Sequence, residues 1–88
     1  LLRRFEAAER SLLTARQIAA ELGDDGGERN ALRSLSFLRS HEGRHEEALA
    51  IVEDVIARAR AAGDSRAEHG DLASVANILR ALGRHRPR

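Results

Sequence analysis

His41 and His45 stand four residues apart, a spacing that would bring two imidazoles onto one helix face as metal ligands. Gly43 lies between them and is expected to end the helix, and His45 recurs forty residues later as His85, so a turn role explains those two and no metal site is expected. The chain has six serines, Ser11, Ser34, Ser36, Ser40, Ser65 and Ser74. A nucleophilic serine needs a histidine base and an acid to orient it, and no such partners are legible in the spacing. Acidic residues alternate with arginines along the segments, as at Glu6 and Arg10. No pair recurs in the apolar setting that general acid–base chemistry needs. Gly26-Gly27 follows no strand and precedes no lysine, so it is not a phosphate loop. The expectation is a non-enzyme with no cofactor. The side chains left with useful chemistry are binders. Arg33 and Arg80 could fork onto a carboxylate or phosphate, Asn77 could hold a peptide backbone through its amide, and Phe37 could anchor a partner.

Composition narrows the class further. The chain has 88 residues, 42% hydrophobic and 33% charged, which suits one small folded domain of modest stability. Fifteen basic residues stand against fourteen acidic ones, a net charge of +1, which gives no drive toward nucleic acid. All fifteen are arginine, read as genomic composition rather than function. With no Trp, no Tyr and two Phe, stacking platforms for single strands are nearly absent. The lack of cysteine excludes disulfides, thiolate zinc sites and a cysteine nucleophile. No apolar run is long enough for a membrane span, and no signal-peptide pattern opens the chain, so a cytoplasmic location is expected. Methionine is missing even at position 1, from which the expectation is a piece of a longer protein or a chain whose start has been removed.

The elements that must carry these residues are helices. Strand-type alternation is missing, and the segments between glycines are rich in Ala, Leu, Arg and Glu. Four helices are predicted, at 3–22, 27–41, 46–62 and 66–82, within a single domain spanning 1–88. Gly23, Gly43, Gly63 and Gly83 are expected to close them in left-handed conformation. Asp25-Gly26-Gly27-Glu28 and Ser65-Arg66-Ala67-Glu68 fit capping boxes. Short joints imply antiparallel neighbours. Helical periodicity predicts a core of Phe5, Ala8, Leu12, Ala15, Ala19 and Leu22 on the first helix. It continues with Leu32, Leu35, Ser36 and Leu38, then Ala48, Val52, Val55, Ile56 and Ala59, and finally Leu72, Val75, Ala76, Leu79 and Leu82.

The chain also repeats itself every 40 residues. Laying 1–48 over 41–88 gives 12 identities, among them Gly23-Asp24 with Gly63-Asp64, Leu32 with Leu72 and Gly43-Arg44-His45 with Gly83-Arg84-His85. Apolar character is kept at Leu12/Val52, Ala15/Val55, Leu35/Val75 and Leu38/Ile78. A fixed period of this kind marks stacked helix pairs.

Leu32-x-x-Leu35-Ser36, then Gly43, then Glu46-Glu47-Ala48, then Val52 and Val55, resembles the tetratricopeptide repeat in a long-period form. The second copy matches at Leu72, Val75, Ala76, Leu79 and Gly83. The family's aromatics are missing, with Arg39 where a tyrosine is common. The resemblance implies an all-α fold of antiparallel helix pairs stacked as a superhelix. In that register 3–22 is the second helix of a partial repeat, 27–62 a complete repeat and 66–88 the first helix of a truncated one, with Pro87 opening a missing partner. The resemblance further implies a concave groove lined by Asn30, Arg33, Ser34, Phe37 and His41, then Ala73, Ser74, Asn77 and Arg80. The function it implies is non-catalytic protein–protein interaction, with a peptide or protein held in the groove or on the end faces. The alternative is an oligomerisation or sensory-coupling segment of a larger bacterial signalling or transcriptional regulator. The partners expected are a protein or peptide, and a second copy through uncovered repeat faces, with no nucleic acid and no membrane.

Overall fold

The computed structural model describes residues 2–85 and the side-chain surroundings of 4–83. Among them are four α-helices and no strand: α1 (Leu2–Glu21), α2 (Asp25–His41), α3 (His45–Ala61) and α4 (Ser65–His85). Pro87 and the rest of 86–88 lie outside the described residues, as do the side chains of Arg84 and His85.

The three joints are built alike. Gly23, Gly43 and Gly63 have φ of +69°, +80° and +71°, a region closed to most L side chains. In each joint the glycine N–H donates to the carbonyl three residues back, and the next N–H donates to the carbonyl five back, at 2.8–3.2 Å. That is the Schellman closure, and it satisfies carbonyls the helix end leaves open. Gly83 departs from expectation, because α4 runs through it to His85. A glycine weakens a helix interior by about 1 kcal/mol, but it ends one only when the chain after it folds back.

The caps fall one residue earlier than the sequence suggests. Asp24 Oδ1 accepts from Gly27 N at 2.9 Å, and Asp64 Oδ1 accepts from Ala67 N at 3.1 Å. Asp24 and Asp64 are therefore the N-caps, not Asp25 and Ser65. Glu28 and Glu68 are released from the expected capping boxes and pair with arginines instead. Glu28 meets Arg16 of α1 at 3.5 Å and Arg58 of α3 at 3.2 Å, and Glu68 takes the Arg60 guanidinium.

Three-residue joints force each helix back along its predecessor. The substantial packing is α1 on α2, α2 on α3 and α3 on α4, with no comparable interface between α1 and α4. The result is an open row, 44 × 33 × 14 Å, rather than a closed four-helix bundle. Leu32, Leu35 and Val55 form one buried cluster, with Leu12 and Ile51 against it. Ala48, Val52 and Ile78 form the second, with Leu49, Val75 and Leu82.

The core of α2 and α3 follows the predicted register, and the outer helices depart from it. Ala15, Leu22, Leu72, Ala76 and Leu79 are exposed rather than buried. Ala31, Ile78 and Asp71 are buried although the periodic reading left them out of the core. The reason is position in the row. An end helix has a neighbour on one side only, so α4 buries the stripe through Asp71 and Ile78 and leaves the stripe through Leu72 and Leu79 open.

Arginines tie the row together where apolar area is short. Arg39 donates to Glu9 of α1 and to Glu42 at 3.1 Å, and lies 3.8 Å from Glu47 of α3. Burial alone would lower its pKa, but bonds from Glu9 and Glu42 outweigh that and raise it. Arg29, itself buried, holds Asp25 at 3.0 Å and Asp64 at 3.1 Å, so the start of α2 is pinned to the α3–α4 joint. Its pKa is raised, chiefly by the Asp64 hydrogen bond.

The Asp64 carboxyl is held below the usual carboxylate range, first by the Ala67 N–H and then by Arg29. A depressed folded-state pKa stabilises the fold above the unfolded value, and that stabilisation is lost as pH falls through the folded one. The unfolded value is about 3.9. Asp64→Asn keeps a capping side chain and removes the charge. The melting temperature of the wild type should exceed that of Asp64→Asn at pH 6, and the gap should shrink steadily as pH drops below about 4. A gap independent of pH would mean the ion pair adds nothing to the cap.

Candidate functional site

One concavity lies along the seam between α2 and α4, with α3 as its floor. Its volume is about 360 Å³, and it is lined by Arg33, Ser36, Phe37, Ser40, Val52, Ser74, Asn77 and Ile78. Small side chains make it. Ser36 on α2 sits close enough to α3 for its Oγ to donate to the Ala48 carbonyl at 2.9 Å. Ser74 Oγ bonds back to the Gly70 carbonyl at 3.4 Å, which leaves the seam open above Val52 and Ile78.

The candidate residues divide between this seam and its surroundings. Arg33, Phe37, Ser74 and Asn77 line the seam together. Ser34 and His41 turn the other way, into a second concavity with Phe5, Leu12, Phe37 and Leu38 between α1 and α2. Phe37 is shared by the two and is 68% exposed. Its ring lies 4.4 Å from that of His41, inclined at 58°. Asn30 lines neither and accepts from Arg33 Nη1 at 2.7 Å. Arg80 is exposed, and its Nη1 reaches Asn77 Oδ1 at 3.5 Å.

Arg33 does not wait for a ligand. Its Nε and Nη2 donate to the two carboxylate oxygens of Asp71 at 2.7 and 3.2 Å, and Asp71 is only 2% exposed. Three of the five guanidinium N–H groups are engaged by Asp71 and Asn30. The charge of Arg33 is balanced within the seam by Asp71, and the pair straps α2 to α4. Asp71 was not legible as its partner, because the two lie 38 residues apart and Asp71 looks like one more exposed helical acid.

Sequence reasoning also passed over Ser40, whose Oγ lies 3.2 Å from His45 Nδ1 across the Gly43 joint. The alternation of small serines at Ser36 and Ser40 with apolar residues was the signal available. A stripe of that kind marks where two helices and a ligand can approach closely.

No family model matches the chain, and no curated protein or solved structure is significantly similar to it. Among the described residues no helix is long and apolar enough to cross a membrane.

Proposed function

We propose that this chain is a non-catalytic, cytoplasmic protein–protein interaction module, a stretch of tetratricopeptide-like superhelix that holds a peptide in the seam between α2 and α4. The observation that carries the reading is the seam itself. An exposed Phe37 stands at the edge of a neutral concavity whose floor is Val52 and Ile78 and whose wall carries Ser74 and Asn77. The 40-residue repeat, the three like joints and the open row support the stacked-repeat architecture. With Arg33 neutralised by Asp71, the chemistry favours an uncharged segment. An apolar side chain would rest on Phe37 and the floor, and its backbone would bond to Asn77 and Ser74.

The test is selection from a displayed peptide library, followed by titration of the selected peptides. Phe37→Ala and Asn77→Ala should each weaken binding by about tenfold or more, as anchors at the centre of an interface do, with melting unchanged because both side chains are exposed. Selection of no peptide, or affinities indifferent to both changes, would overturn the reading.

A second reading has its own support. Ile18 on α1, and Leu72 and Leu79 on α4, are 44–51% exposed, so both ends of the row carry apolar surface of the kind that marks contact sites. That surface favours an oligomerisation or coupling segment, of the sort found within larger bacterial regulators.

A further inference from the structure

We propose that copies of this chain assemble head to tail, with α1 of one copy seated in the groove between α3 and α4 of the next. The inference rests on the second reading above, that the ends of the row make the contacts. The interface it needs already exists once inside the molecule. There α3 covers the groove between α1 and α2, with Val55 and Ile51 packed on Leu32 and Leu35. One repeat later, α3 and α4 form the corresponding groove, of about 400 Å³, with Leu72 and Val75 in the places of Leu32 and Leu35. No described residue fills it. Leu32 is 4% exposed and Leu72 is 44% exposed, the same residue type at the same repeat position, differing in whether a helix lies over it.

The helix with the chemistry to lie there is α1. It shares the register of α3, with Ala8, Leu12 and Ala19 where α3 has Ala48, Val52 and Ala59, and Leu12 and Val52 mark the face each helix turns to the one that follows it. The face of α1 that corresponds to Ile51 and Val55 is Ser11 and Ala15, and it is open. The charges change in step. In the internal interface Arg39 gathers Glu9 from α1 and Glu47 from α3. One repeat later Arg39 becomes Leu79 and Glu9 becomes Leu49, both lining the open groove. The residue that takes the place of Glu47 in a docked α1 is Ala7, which is exposed. The cation and the acids it gathers from α1 and α3 have been replaced together by apolar residues. Glu68, which in this register faces the incoming Ile18, is already occupied by Arg60.

The same register works in reverse. Val52, Ser74, Asn77 and Ile78 line the seam against which α2 rests. Their counterparts forty residues earlier, Leu12, Ser34, Phe37 and Leu38, line an open cradle between α1 and α2. In the assembly α4 of the preceding copy enters that cradle, with Ala76 in the role of buried Ser36. The two patches differ, so the contact is heterologous and propagates instead of closing as a dimer.

Light scattering coupled to size exclusion across a hundredfold dilution tests this, with Leu79→Glu spoiling the groove and Ala15→Glu spoiling α1. Both positions are exposed, so helical content should hold. Should Leu79→Glu lose helicity, Leu72→Gln probes the same face. The expected result is a wild-type mass that climbs past the dimer with concentration, two monomeric variants, and a 1:1 dimer when the variants are mixed, since each keeps one intact face. A wild type monomeric throughout would overturn the proposal and the self-association reading with it. Assembly that survives Ala15→Glu, or variants that do not pair on mixing, would overturn the head-to-tail arrangement alone. Peptide binding at Phe37 and Asn77 is read separately and is decided by neither outcome.

Discussion

Leu35→Asp should leave no folded population at room temperature. Leu35 is 3% exposed and touches the α1, α2 and α3 contributions to one cluster. Truncating a buried leucine to alanine costs about 2–5 kcal/mol, and placing a carboxylate there without a partner costs more. The whole fold of a domain this small is worth only about 4–13 kcal/mol. The arginines of the row do not rescue the charge, because Arg29, Arg39 and Arg58 already hold acids of their own. Circular dichroism should show lost helicity with no cooperative melt. Phe37→Asp, one helical face away and 68% exposed, should melt within a degree or two of the wild type. If Leu35→Asp melted normally, the core would lie on another face and the whole register would be wrong.

Removing Arg33 should destabilise the fold far more than removing its partner. Arg33→Ala leaves the Asp71 carboxylate, at 2% exposure, without its cation, and breaking one side of a buried pair costs about 2–4 kcal/mol. Asp71→Ala removes the buried charge, and the repeat counterpart of Asp71 is Ala31, itself buried. The freed guanidinium can turn to water while keeping Asn30, so this change should cost about 1 kcal/mol. The double variant should resemble Asp71→Ala, so the coupling energy should be about equal to the cost of Arg33→Ala alone. Urea unfolding of the four proteins measures the cycle. Equal and additive costs would show that the pair is screened by solvent and that α2 and α4 are not strapped by it. The asymmetry also bears on the seam. Asp71→Ala frees a cation beside Phe37 and Asn77, and peptides with an acidic residue should then enter the selection where neutral ones dominate in the wild type.

The register of α2 and α3 was legible because both helices are flanked on two sides. When every apolar position has a neighbour to meet, periodicity and burial coincide, as they do at Leu32, Leu35, Val52 and Val55. Leu72 and Leu79 show where that logic stops. Leu72 matches the buried Leu32 of the other repeat and Leu79 extends its apolar stripe, yet burial is a relation between helices, and among the described residues α4 packs on α3 alone to any extent.

Four helices, their joints and their antiparallel order were determined by the sequence alone, for a physical reason. A glycine in left-handed conformation, a helix former's low propensity cost and a 3.6-residue apolar period act within one or two turns of chain. The capping aspartates were equally local and were misread by one residue because another capping type follows each, Asp25 after Asp24 and Ser65 after Asp64. What tertiary structure alone decided is which charges meet. The choice of Asp71 for Arg33, of Glu9 for Arg39 and of Glu28 for both Arg16 and Arg58 depends on distances across helices. In a chain with fifteen arginines and fourteen acids, spacing cannot rank those choices. The neutrality of the seam, and with it the kind of peptide the seam can hold, follows from that pairing.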